Sequence, residues 1–251
     1  MFLVKRKDQI LELIVSEGKI SVVDLANKMN VSQVTIRKDL DYLAAKGLIT
    51  REYGYALTLS NDDISNRLIH NYSTKLKIAK LAAQSVSDGE IIMIESGSTC
   101  ALLAEELCKT KKNIKIITNS IFIANFLREY KNVDITILGG EFQSVSQVNT
   151  GPITRLCAEQ YMVDKLFVGV DGFDENYGFF GADILRTYAV KDMANCAKKV
   201  IILTISDKFK ERGLVKLFKP EEVYAVYSDC LTCENTIEFL KDKNVKVNIA
   251  K

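Results

Sequence analysis

The sequence predicts an α/β protein in two parts: a small, mostly helical N-terminal part and a larger part built on a mainly parallel sheet. Three observations carry this. Residues 1–58 hold three stretches of helical apolar spacing, broken near Gly18 and Asn30-Val31, and then two short strands about Gly54. Residues 59–73, LSNDDISNRLIHNYS, are polar and lack a strong period, as a linker does, with room for one short helix. From Thr74 onward, short apolar runs alternate with helix-length segments, the pattern of a parallel sheet covered by helices.

The elements follow in order. Residues 3–16 place Leu3, Ile10, Leu11, Leu13 and Ile14 among charges at helical spacing, and Gly18 ends that helix. Ser21 stands three residues before Asp24, a capping box for a second helix through Met29. Asn30-Val31 is a tight break, and Ser32 is a good N-cap for a third helix that closes at Gly47. LITREYGYALTL then reads strand, Gly54 turn, strand. Three helices and a hairpin in under sixty residues make a winged helix-turn-helix.

The third helix is written for a duplex. Ile36, Leu40, Leu43, Ala44 and Gly47 share one stripe toward a small core. Val34, Thr35, Lys38, Asp41 and Tyr42 lie across from it, with Arg37 on the flank and Gln33 in the first turn. Long donors, short hydroxyls and an apolar contact for a thymine methyl are what a major groove asks for. The first turns of such a helix read base edges. That assigns Gln33, Val34, Thr35 and Lys38 to bases, and Ser32, Arg37 and Arg51 to phosphates. A solvated amphipathic helix with a cap is the bland alternative; the helix-break-helix spacing and the hairpin argue against it.

In the second part, a helix from Thr74 leads to a turn at Asp88-Gly89. The expected strands are Ile91–Ile94, Ile114–Thr118, Val133–Leu138, Lys165–Val170, Val200–Ile205, Val223–Tyr227 and Val245–Ile249. Their carboxyl ends repeat one chemistry: ESGSTC at Glu95–Cys100, TNS at Thr118–Ser120, Gly139-Gly140, GVDG at Gly169–Gly172, and Lys208 just past Ile205. Gly151 opens a helix. Small residues, hydroxyls and helix N-terminal amides can hold phosphate oxygens, and ligands of such sheets bind beyond the carboxyl ends of the strands. The repetition suits a small polyol bearing a phosphate.

Composition sets the outer bounds. The chain has 251 residues, 47% hydrophobic and 26% charged, as ordinary soluble proteins do. No apolar run approaches the ~20 residues of a membrane span, and the start, MFLVKRKD, is unlike a signal peptide. A cytoplasmic protein is expected. Of the six cysteines, only Cys230 and Cys233 form a C-x-x-C; no second pair accompanies them and the one histidine, His70, is remote. Reduced thiols are expected, with no metal and no cofactor. Residues 1–58 carry nine Lys/Arg against seven Asp/Glu, and the rest balances at twenty-five each, so the whole +2 sits in the first part. An anionic partner for that part is a weak hint from charge alone.

The stretch GKISVVDLANKMNVSQVTIRKDLDYLAAKGLITREYGYA, Gly18 to Ala56, resembles the N-terminal signature of the DeoR family of bacterial transcriptional regulators. Val31-Ser32, Thr35-Ile36-Arg37, Asp39-Leu40, Leu43, Gly47 and Arg51 carry the likeness. Lys77 to Asp229 is similar to that family's effector domain, which is related in fold to ribose-5-phosphate isomerase and the CoA-transferase group. The resemblance implies domains at 1–58 (DNA binding), 59–73 (linker) and 74–251 (effector binding and oligomerisation). It implies a repressor of a sugar-metabolism operon, a double-stranded operator, a phosphorylated sugar effector, and a homodimer or homotetramer. Carried onto this chain, the effector residues are Ser96, Gly97, Ser98, Thr99, Thr118, Asn119, Ser120, Gly139, Gly140, Asp171 and Lys208. Four positions depart from the family pattern: Tyr55 where a second wing glycine is usual, Glu95 where aspartate is common, Ile205 ahead of Ser206-Asp207-Lys208, and Arg186 near a usually acidic position. Arg186 as a second cation would favour a more anionic ligand.

Two other readings stay open at this level. The chain could be a sugar-phosphate isomerase with a DNA-binding module, using Glu95, Asp171 or Asp183 as general base and Lys208 to polarise a carbonyl. The first part could also be a winged helix that binds protein, which salt-dependent DNA affinity would separate from the first reading.

Overall fold

The structure is a computed structural model that describes residues 2–45, 47–57 and 64–251. Internal packing divides it into two compact units, residues 1–73 and 74–251.

The first unit runs α1 (Phe2–Glu17), β1 (Lys19–Ser21), α2 (Val22–Met29), α3 (Gln33–Ala45), β2 (Thr50–Glu52), β3 (Tyr55–Leu57) and α4 (Ile64–Ile69). Its core is aliphatic: Ile10, Leu11, Ile14, Leu25, Ile36, Leu40 and Leu43 are buried. Ser21 caps α2, accepting from the Asp24 amide at 3.0 Å while its hydroxyl donates to the Asp24 carboxylate at 2.6 Å. Asn30 ends α2 in the left-handed region at φ 51°. The strands form one antiparallel sheet in the order β1-β3-β2. β1 escaped the sequence reading because three residues between two helices carry no period of their own. Residues 64–69, inside the expected linker, form α4, with Ile64 and Leu68 buried against α1. It is the short helix for which the linker left room; at under two turns its period is weak. Residues 58–63, including the end of the expected wing and the start of the linker, lie outside the described residues.

The second unit opens on α5 (Tyr72–Ala83), followed by β4 (Ile91–Ile94), α6 (Ser98–Thr110), β5 (Ile114–Thr118), α7 (Ile121–Phe126) and β6 (Val133–Ile137). Then come β7 (Glu141–Gln143), β8 (Val148–Thr150), α8 (Pro152–Ala158), β9 (Val163–Gly169), β10 (Gly172–Asp174), β11 (Gly178–Gly181) and α9 (Ile184–Ala194). The chain ends with β12 (Ala197–Leu203), a 3-10 turn at Ser206–Lys210, β13 (Val215–Phe218), β14 (Ala225–Asp229), α10 (Glu234–Asp242) and β15 (Lys246–Ala250).

Seven strands pair in parallel in the order β15-β14-β12-β9-β4-β5-β6. They are the seven expected from the sequence, displaced by up to three residues at their ends. From β4 the chain builds outward through β5 and β6; from β9 it builds the other way through β12, β14 and β15. The order therefore reverses between β4 and β9, where doubly wound sheets open a crevice for ligands. Two small antiparallel sheets, β7-β8 and β10-β11-β13, lie outside it. Phe173 anchors the latter: its ring centroid is 4.9 Å from Phe179, 5.5 Å from Phe209 and 6.0 Å from Phe239.

Candidate nucleic-acid interface and effector site

Ser32 starts α3: its hydroxyl accepts from the Thr35 amide at 3.2 Å and pairs with the Thr35 hydroxyl at 2.9 Å. Ile36, Leu40 and Leu43 pin the helix to the core. Gln33, Val34, Arg37, Lys38 and Asp41 face outward, and Val34 is 60% exposed. Positions 34, 37, 38 and 41 form one ridge at helical spacing. Arg37 and Lys38 enter no hydrogen bond or ion pair in the described residues. An exposed valine between two uncommitted cations is what a groove-reading helix needs and a core helix does not.

Two features of this helix were not read from sequence. Asp39 is buried, and Arg6 on α1 donates to it at 2.6 Å. The hydrogen bond from Arg6 to Asp39 raises the arginine's pKa further above its ordinary value. The two residues are 33 apart, so nothing local signals the pair, although Asp39 stood in the quoted signature. The second feature is Arg51 on β2, which is ion-paired to Asp41. Arg51, expected on a phosphate, thus neutralises the one carboxylate on the outward ridge. At the tip of the wing, Tyr53 (φ 30°) and Gly54 (φ 85°) make the two-residue turn, and Tyr53 is fully exposed. Tyr55 is also exposed, with the Lys19 ammonium 4.7 Å from its ring centre.

In the second unit, the parallel strands bring the expected loops to one edge of the sheet, and Glu95 organises its centre. One carboxylate oxygen accepts from the amides of Gly97 at 2.8 Å and Gly169 at 3.0 Å; the other accepts from the Ser96 hydroxyl at 2.8 Å. The side chain therefore ties the loop after β4 to the end of β9, across the reversal point. A Cβ on Gly97 would lie 2.9 Å from that carboxylate and 3.2 Å from the Gly169 backbone, so both glycines serve close approach. Burial, and then the Glu95 charge, push the Cys100 thiol well above its ordinary pKa.

The remaining expected residues divide by role. The Thr118 hydroxyl accepts from the Ser120 amide at 3.1 Å, and the Ser120 hydroxyl caps α7 at the Ile123 amide. The Gly139 carbonyl accepts from the Thr154 hydroxyl at 2.7 Å, and Gly140 (φ 147°) leaves no room for a Cβ beside Thr154. Asp171 accepts from the Ala182 amide at 2.8 Å. These groups shape the loops. Ser98 and Thr99 open α6, a 13-residue helix whose N-cap, Gly97, makes no side-chain capping bond. Lys208 is half-buried in the 3-10 turn, 3.5 Å from Glu211. Asn119 donates to the Asn149 carbonyl at 3.1 Å, yet its side-chain oxygen is buried without a partner in the described residues. A buried acceptor in that state takes its donor from outside the protein, from a water or a ligand.

Asp183 and Arg186, weighed from the sequence as a base and a second cation, form one polar cluster with Gln143 and Ser146. Asp183 caps α9 at the Arg186 amide (2.8 Å) and accepts from Gln143 at 3.3 Å. Burial pushes the Asp183 carboxyl up, but the Arg186 amide, Gln143 and the Arg186 guanidinium outweigh it and hold the pKa below its ordinary value. Arg186 also donates to the Ser146 hydroxyl at 2.5 Å. It fastens α9 to the β7-β8 hairpin, a use the sequence reading did not foresee. The three carboxylates weighed as general bases, Glu95, Asp171 and Asp183, all hold backbone amides.

Residues 6–62 match the model of the DeoR-like helix-turn-helix domain, and residues 70–230 match that of the DeoR C-terminal sensor domain. The chain belongs to the DeoR family. Its DeoR membership makes it a transcriptional regulator with a DNA-binding domain and a sensor domain. It is 25% identical over 248 residues to the HTH-type transcriptional regulator IolR of Bacillus subtilis (strain 168), covering 98% of both chains. It is 26% identical, again over 98% of both, to the glycerol-3-phosphate regulon repressor of Escherichia coli (strain K12). Ribose 5-phosphate isomerase A of Methanocaldococcus jannaschii overlays on 55% of each chain at 24% identity and a TM-score of 0.41. No helix among the described residues is long and apolar enough to cross a membrane.

Proposed function

We propose that this DeoR-family chain is a repressor of a sugar-metabolism operon whose hold on its operator is set by a phosphorylated sugar or related metabolite. In this reading Gln33, Val34, Thr35 and Lys38 meet base edges, and Ser32, Arg37 and Arg51 meet phosphates. The effector lies at the carboxyl edge of the sheet. Ser98, Thr99 and the open end of α6 take its phosphate, Asn119 accepts one of its hydroxyls, and Lys208 adds charge. Ser96, Gly97, Thr118, Ser120, Gly139, Gly140 and Asp171 hold the loops in place.

The observation that carries the reading is the unpartnered, buried Asn119 oxygen among loops already braced by Glu95. The name of the glycerol-3-phosphate relative agrees with a phosphorylated ligand. A coupling of ~1–3 kcal/mol, about 5–150-fold in operator affinity, is what such regulation requires.

We also infer a homodimer. Ile153 and Leu156 on α8, and Ile184, Leu185 and Tyr188 on the adjoining α9, are about half exposed. Large apolar side chains gathered on packed helices favour a partner over water. Two reading helices about 34 Å apart would then meet a pseudo-palindrome.

A thermal-shift panel of sugars with and without phosphate tests the effector. Phosphorylated members should raise the melting temperature, and Asn119→Ala with Lys208→Ala should remove the response. Equal shifts from sugars lacking phosphate would overturn the ligand class. A coupled assay over the same panel tests the isomerase reading, which turnover abolished by Asp171→Asn would restore.

A further inference from the structure

The opposite, amino edge of the large sheet carries a cavity of about 1090 Å³ between the starts of β12 and β14, β13 and the ends of α9 and α10. Six lysines line it: Lys191, Lys198, Lys199, Lys216, Lys219 and Lys243. Its acids are Glu175, Glu221 and Glu222.

Half of those lysines have local explanations. Lys191 and Lys243 sit at the C-terminal ends of α9 and α10, where a cation offsets the helix dipole. Lys243 also pairs with Glu221 at 3.1 Å, and Lys198 with Asp164 at 2.9 Å. Glu222 accepts from the Lys219 amide at 2.6 Å and keeps its charge. Lys199, Lys216 and Lys219 form no ion pair in the described residues. Against them stand two carboxylates outside any ion pair in the described residues, Glu175 and Glu222.

The surplus cations gather about two tyrosines. Lys199 and Lys246 each lie 4.6 Å from the Tyr224 ring centre, and Lys246 donates to the Tyr224 hydroxyl at 2.8 Å. That hydrogen bond, with burial opposing and the lysine charges adding, holds the Tyr224 phenol below its ordinary pKa. Lys216 lies 4.3 Å, and Arg212 4.7 Å, from the Tyr177 ring centre. Of these four cations Lys199 and Lys216 line the cavity; like charges there repel each other and raise the local concentration of anions.

We propose that this cavity is a second ligand site, distinct from the carboxyl-edge loops, for a small polyphosphorylated anion. Two cation groups, one at Tyr224 and one at Tyr177, call for a ligand with at least two phosphates. The carbonyl ends of α9 and α10 repel an anion, so it lies against β12, β13 and Tyr224. A concave site of this volume suits a small molecule better than a duplex, which needs a long open face. The inference does not depend on the sugar-phosphate reading.

Calorimetric titration of the full chain with orthophosphate, pyrophosphate, tripolyphosphate and adenosine triphosphate tests this. Tripolyphosphate should bind at least about tenfold more tightly than orthophosphate. The Lys199→Ala/Lys216→Ala variant should lose about tenfold or more. Lys112→Ala/Lys131→Ala, at exposed positions outside the cavity lining, should match wild type. Adenosine triphosphate binding more tightly than tripolyphosphate would extend the ligand class to a nucleotide. Equal affinity for one and three phosphates would overturn the proposal, as would wild-type binding by the Lys199/Lys216 variant. So would a variant whose only loss is in DNA affinity, which would make the wall a duplex surface.

Discussion

In the proposed reading, single side chains on α3 set how it meets DNA. Arg37 is exposed and uncommitted, so Arg37→Ala should flatten the slope of log affinity against log salt by about 0.9, one phosphate's worth. Asp41 faces outward and holds Arg51. Asp41→Asn should free that arginine, raise affinity for any duplex several-fold at low salt, and steepen the same slope. Filter binding across a salt series reads both; an Asp41→Asn variant with unchanged affinity would remove Arg51 from the interface. Asp39 acts from behind. Its loss strands Arg6 and unpins α3, so Asp39→Ala should cost about 2 kcal/mol by urea unfolding, given a charged hydrogen bond at a buried carboxylate. The outward residues were legible because they follow helical spacing. The Arg6–Asp39 pair was not, because contacts between residues far apart in sequence leave no mark on local pattern.

At the scale of elements, the wing turn and the Glu95 clamp carry the sharpest consequences. Tyr53 holds a positive φ that a side chain resists, in a turn that prefers asparagine there. Tyr53→Asn should stabilise the first unit by about 0.5–1 kcal/mol, and a loss of stability would mean that the exposed ring has a contact of its own. Glu95→Ala would leave the half-buried amides of Gly97 and Gly169 without an acceptor, at about 1 kcal/mol, and should loosen the carboxyl-edge loops. The parallel strands were legible because buried strands read as apolar runs. The β7-β8 hairpin and β10-β11-β13 were not, since FDENYGFFG gains its meaning only when Phe173 meets Phe209 and Phe239 from later in the chain. The carboxyl-edge loops are expected from their small residues, but which groups brace them shows only in the hydrogen bonds.

For the whole molecule, the proposed regulation requires a reading helix in one unit to respond to a ligand bound in the other. A ligand can shift operator affinity only by the difference in its own affinity for the two arrangements. The most direct measurement is selection of random duplexes by the full-length protein, repeated with each phosphorylated sugar that raises its melting temperature. Wild type should enrich one pseudo-palindrome whose retention changes about fivefold or more with a single sugar phosphate. Arg37→Ala/Lys38→Ala should enrich none. Recovery of the same sequences by that variant, or no enrichment by wild type at low ionic strength, would contradict the account.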